Sequence, residues 1–80
     1  MTSRKSWEDL VSPERKAFAA RLKARRKELS LTQVNMFERT GLAVSHISNL
    51  ENAETNPSLE VMVSLARALD VNIKYFFEPD

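Results

Sequence analysis

Apolar positions along this chain recur at spacings of three and four for most of its length, which is the period of amphipathic helices rather than strands. The first such stretch covers residues 13–29 and opens on Ser12-Pro13-Glu14. Ser at the N-cap, Pro at the first helical position and an acid in the first turn are a helix start. Its buried stripe is expected to be Phe18, Leu22 and Leu29, helped by Ala19 and the aliphatic stems of Arg25 or Arg26. Leu31 precedes Thr32, a good N-cap, and should staple this helix to the next. A second helix over 33–40 places Met36, Phe37 and Thr40 on one face. Gly41 can end it, because a residue without Cβ reaches φ > 0 at little cost.

A third helix over 44–51 follows two residues later. Ala43, Ile47 and Leu50 share one face of it. The opposite face carries Val44, Ser45, Ser48, Asn49 and Asn52, which are short, uncharged and rich in hydrogen-bonding groups. A helix kept on a surface for solubility would carry Lys and Glu; a charge-free polar face suits contact with base edges, where amides and hydroxyls meet donors and acceptors. After a polar loop over 52–58, Pro57 disfavours helix at Asn56 and Ser58 can cap a fourth helix over 58–69, with Glu60 in its first turn. Leu59, Met62, Val63, Ala66 and Leu69 make that helix amphipathic. Asn72 can cap a last helix over 73–77, and Ile73, Phe76 and Phe77 exceed the apolar surface a terminal helix needs. They either complete the core or form a symmetric dimer contact. The fold class is all-α, with five helices.

Composition narrows this picture without changing it. Eighty residues, 42% hydrophobic, make one domain with a small core. A core of that size rarely supplies more than about 3–5 kcal/mol of net stability. There is no Cys, so no disulfide or thiolate metal site adds to it, and dimerisation is the remaining support. No signal peptide and no run long enough for a membrane span are visible, which makes a cytoplasmic protein the expectation. The domain proper is placed at 12–80, with two short helices broken at Gly41 over 32–51. Residues 1–11 form an arm: Trp7, Leu10 and Val11 would cap the core or a dimer seam, Arg4 and Lys5 would reach a phosphate, or the arm is a loose tail.

The net charge is only +1, but it is unevenly spread. Residues 1–27 hold nine basic against three acidic groups, and residues 28–80 hold three against eight. One basic end is enough for an electrostatic footprint on a polyanion. Enzymatic chemistry is not expected: there is one His, one Gly and no Gly-rich phosphate loop, and Ser45 and His46, as helix neighbours, diverge by about 100°. No cofactor and no metal are expected.

The spacing of particular motifs adds a resemblance. Thr32-Gln33, Gly41 eight residues later, Ile47-Ser48, Leu50-Glu51, Asn56-Pro57-Ser58, then residues 65–69 (LARAL), Val71 and Phe77 together resemble the Cro and phage-repressor (XRE-like) helix-turn-helix family over roughly residues 18–77. The resemblance implies a lambda-repressor-like five-helix domain. It would be a sequence-specific, dimeric transcriptional regulator, a repressor, reading a near-palindromic operator in the major groove of double-stranded DNA. Base contacts carry over to Val44, Ser45 and Asn49, with His46 and Ser48 beside them. Phosphate contacts carry over to Gln33 and Thr32 at the start of helix 2 and to Asn52, Thr55 and Asn56 in the loop. Arg25, Lys27 and Arg39 are additional cationic candidates. Arg26 and Glu51 occupy the positions of a family ion pair that fixes helix 3 against helix 1. The dimer candidates are Ile73, Phe76 and Phe77. Three positions depart from the pattern. Phe37 stands where the family has a small residue and should widen the helix crossing or turn toward helix 4; Ala43 replaces a capping residue; Ala53 replaces a frequent Gly. The alternative function is a protein-binding module on the same fold, such as an antitoxin, with the apolar C-terminal helix taking the partner.

Overall fold

The computed structural model describes residues 11–78, and the expectations for Arg4, Lys5, Trp7 and Leu10 lie outside them. Four α-helices follow in order: α1 (Pro13–Glu28), α2 (Gln33–Thr40), α3 (Val44–Glu51) and α4 (Leu59–Ala68). The expected fifth helix is a 3₁₀ helix, Ile73–Phe77. Five residues are too few to gain much from the α-helical ladder. The Asn72 side chain accepts from the Lys74 N–H at 2.9 Å, and the Asn72 carbonyl accepts from the Tyr75 N–H at 2.8 Å, closing a tight three-residue turn.

The starts of the helices follow their side chains. Ser12 accepts from the Arg15 N–H, Ser58 from the Val61 N–H, and Thr32 from the Asn35 N–H, while the Asn35 side chain returns a bond to the Thr32 N–H at 2.9 Å. That reciprocal box is built with Asn in place of the usual Glu or Gln. α3 begins at Ala43 with no side-chain cap.

The ends of the helices are more informative. α2 closes on Gly41 at φ +78°. α1, α3 and α4 each close on a non-glycine residue in the left-handed region: Ser30 at φ 58°, Ala53 at φ 58° and Asp70 at φ 55°. Each carries the double bond of a Schellman closure. Ser30 N–H reaches the Lys27 carbonyl and Leu31 N–H the Arg26 carbonyl; Ala53 pairs with Leu50 and Glu54 with Asn49; Asp70 pairs with Arg67 and Val71 with Ala66. The orphan carbonyls of the last turn are thereby satisfied, and Leu31 and Val71, next in the chain, turn inward onto the core.

Every element contributes to one core of Phe18, Leu22, Met36, Ile47, Leu50, Leu65, Ala66, Leu69 and Phe76. α1 packs on α3 and on the 3₁₀ helix, α2 on α3 and α4, and α4 on the 3₁₀ helix. Phe76 is fully buried, its ring 4.7 Å from that of Phe18. It is therefore a core residue and not a dimer contact, which corrects the expectation for that position. Val11 is also buried. Leu29 is exposed instead of lining the core, because it is the C-cap of α1, where the chain leaves the helix. Leu59, in the first turn of α4, is 62% exposed. Phe37, expected to widen the α2–α3 crossing or turn toward α4, is 46% exposed. Among the described residues no helix is long and apolar enough to cross a membrane.

Candidate nucleic-acid interface

α3 has one buried and one open side. Ile47, Leu50 and Glu51 are buried, while Val44, Ser45, Asn49 and Asn52 are exposed. His46 and Ser48 lie at the margins, half-buried. The open side is uncharged, so duplex phosphates on either side of a groove would not be repelled by it, and its amides and hydroxyl can donate and accept. Val44, at 37% exposure, adds a small apolar surface at the start of the helix.

What fixes this helix is an ion pair at its inner end. Arg26 Nε and Nη2 donate to the two oxygens of Glu51 at 2.6 and 2.9 Å, a bidentate fork. Arg26 Nη1 donates to the Leu31 carbonyl at 2.8 Å. One side chain thus ties the end of α3 to α1 and to the α1–α2 turn. The bond to Glu51 holds the guanidinium above its ordinary pKa; burial opposes this and the carboxylate charge reinforces it. The Gln33 amide also donates to Glu51, at 3.2 Å, so the first residue of α2 is coupled to the last of α3. Gln33 is half-buried, with an amide N–H turned toward Glu51 rather than to the outside. Thr32, beside it, is exposed, although its hydroxyl caps the helix.

Two arginines expected at phosphates are committed elsewhere. Arg25 Nε donates to the Leu69 carbonyl at 3.0 Å and its Nη1 pairs with Glu28. Arg39 Nη1 donates to the Ala68 carbonyl at 2.9 Å. Both therefore sit at the C-terminal end of α4, where cations complement the helix dipole. Lys27, in the last turn of α1, is exposed. In the loop after α3, Asn56 is exposed and Thr55 is half-buried. Sequence reasoning missed Arg15, whose guanidinium crosses from α1 to this loop and bonds Ala53 and Asn56. A contact over 38 residues of chain leaves no local pattern to read.

Comparisons with known proteins agree with this geometry. The family model described as "Helix-turn-helix" matches residues 22–76. The immunity repressor protein of Bacillus phage phi105 is 40% identical over 53 residues, covering 66% of this chain and 37% of the repressor. The HTH-type transcriptional regulator SinR of Bacillus subtilis is 35% identical over 54 residues, 66% of this chain and 49% of SinR. The chain thus spans about a third to a half of the length of these relatives. Among solved structures, the restriction-modification controller protein C.AhdI from Aeromonas hydrophila superposes with a TM-score of 0.78 at 29% identity, over 82% of this chain and all of that one. With a family match over most of its length and an all-helical scaffold that presents α3 outward, this chain belongs to the helix-turn-helix family.

Proposed function

We propose that this protein is a sequence-specific double-stranded DNA-binding transcriptional regulator, a repressor, that lays α3 in the major groove. The observation that carries the reading is the open side of α3, where Val44, Ser45, Asn49 and Asn52 are exposed and uncharged on a helix whose other side is locked into the core. Asn49 pairs bidentately with adenine, Val44 meets a thymine methyl, and Ser45 is a permissive donor or acceptor. His46 and Ser48 flank them. Thr32, Asn52, Thr55, Asn56 and Lys27 position the duplex by its phosphates. The names of the phage repressor and of SinR support a regulatory role.

One reading helix of eight residues is too small for tight selection, so the protein acts as a dimer. Ile73 and Phe77 line an apolar groove with Leu59 and Met62, and the dimer contact is assigned there. Phe77 is 49% exposed, in contrast to Phe76. Selection of bound sequences from random duplexes, followed by footprinting, tests the reading. The expected site is a near-palindrome with half-sites about 34–36 Å apart, one turn of DNA. A footprint over one isolated half-site would contradict the dimer, and absence of any salt-dependent binding would contradict the function.

A further inference from the structure

We propose that Arg15 is a positioning residue: by clamping the turn after α3 it orients Asn56 as an outward-facing hydrogen-bond donor to a DNA phosphate. This rests on the reading of α3 as the DNA-facing helix. Arg15 lies upstream of residues 22–76, so the clamp comes from a part of the chain that the family model does not match.

The geometry is specific. Arg15 Nε and Nη2 both donate to the Ala53 carbonyl, at 3.2 and 2.8 Å, and Nη1 donates to Asn56 Oδ1 at 2.8 Å. Ala53 is the left-handed residue of the α3 closure, at φ 58°. Its N–H is held by the Leu50 carbonyl at 3.2 Å, and the next N–H, of Glu54, by the Asn49 carbonyl at 2.8 Å. Arg15 thus holds the outer carbonyl of a turn that Leu50 and Asn49 hold from the helix side, and Asn49 is itself a proposed base reader.

The consequence for Asn56 follows from donor inventory. A guanidinium donates and does not accept. Asn56 must therefore give Arg15 its oxygen, and the –NH₂ of the same amide is turned away from Arg15. The residue is exposed. An amide free to rotate would present oxygen, which a phosphate repels, as readily as nitrogen. The clamp removes that choice before DNA arrives, which lowers the ordering cost of binding.

The test compares wild type, Arg15→Ala, Arg15→Lys, Asn56→Ala and the Arg15→Ala/Asn56→Ala double variant on a selected duplex and on a scrambled one. Urea melts confirm that each is folded at the assay temperature. Asn56→Ala is expected to weaken binding to both duplexes by roughly ten-fold, the scale of a hydrogen bond to a charged group, and Arg15→Ala by roughly two- to ten-fold, the cost of ordering a released amide side chain. The double variant should be no weaker than Asn56→Ala alone, because Arg15 acts only through that amide. Arg15→Lys should not rescue, since an ammonium cannot make the planar three-bond fork. The slope of log K against log salt should be unchanged in Arg15→Ala. Additive losses, rescue by Lys, or a slope smaller by about 0.9 would make Arg15 a direct phosphate contact or irrelevant, and overturn the proposal. Wild type that binds no duplex would overturn the DNA reading itself, and the phosphate role of Asn56 with it; wild-type binding with additive variants would overturn only the clamp.

Discussion

Replacing Glu51 with Ala removes the carboxylate on which Arg26 depends. The Glu51 side chain is 2% exposed and the Arg26 side chain 10%, so water reaches neither freely. After the change, Arg26 keeps its bond to the Leu31 carbonyl and loses both bonds of the fork. A buried charge left without its partner costs about 3–5 kcal/mol. A core of this size rarely supplies more than about 3–5 kcal/mol of net stability. With a urea slope of about 1 kcal/mol per molar for a small domain, the midpoint should fall by roughly 3–5 M, or the variant should be unfolded in water. The double replacement Arg26→Met/Glu51→Leu should lie within about 1 kcal/mol of wild type or above it, because it removes the desolvation cost with the attraction. The measurement is urea denaturation of both variants beside wild type. A Glu51→Ala loss below about 1 kcal/mol, the range of exposed pairs, would refute the reasoning. The Arg26 pKa is raised in the folded state, so its contribution is complete below the unfolded-state value and is lost only as pH rises through the folded one. The guanidinium therefore adds no pH dependence to stability across the neutral range.

Three further outcomes are expected. Ala43→Ser should stabilise the start of α3, where no side chain caps the helix, by about 0.5–2 kcal/mol, read by chemical denaturation. Ala53→Gly should relieve the left-handed strain at φ 58° and raise the unfolding free energy by up to about 1 kcal/mol, whereas Gly41→Ala should lose about 1 kcal/mol from backbone conformation alone, since an added Cβ meets nothing within 4 Å. Phe76→Ala should destabilise by about 3–5 kcal/mol, whereas Phe77→Ser should leave the fold in place and shift sedimentation equilibrium toward monomer.

Periodicity and capping made most of the scaffold legible. Ser12-Pro13, Thr32, Gly41, Ser58 and Asn72 mark boundaries because each satisfies or frees a backbone group at a helix end, a requirement local to the chain. The outward face of α3 was legible for the same reason: faces of a short helix follow from spacing alone. Positions where a face meets an end were not. Leu29 and Leu59 continue the apolar pattern but sit on the last and first turns, where the neighbouring helix no longer covers them. Phe76 and Phe77 are adjacent and chemically identical, and both rings lie near Phe18, at 4.7 and 6.5 Å, yet only Phe76 is buried, a difference that spacing does not show. The closures at Ser30, Ala53 and Asp70 carry no glycine and gave no signal. The arginines were least legible, because a long side chain chooses its partner in three dimensions. Arg25 and Arg39 read as phosphate ligands and serve the end of α4, and Arg15 read as one more cation and holds the loop after α3.

Base reading by the exposed face of α3 is tested most directly by a quantitative comparison of wild type with Asn49→Ala on a panel of single-base operator variants. Asn49→Ala should lose discrimination at one base pair per half-site, worth about 1–3 kcal/mol, with binding to unrelated DNA unchanged. Equal weakening on every sequence would contradict it and remove Asn49 from the reading surface.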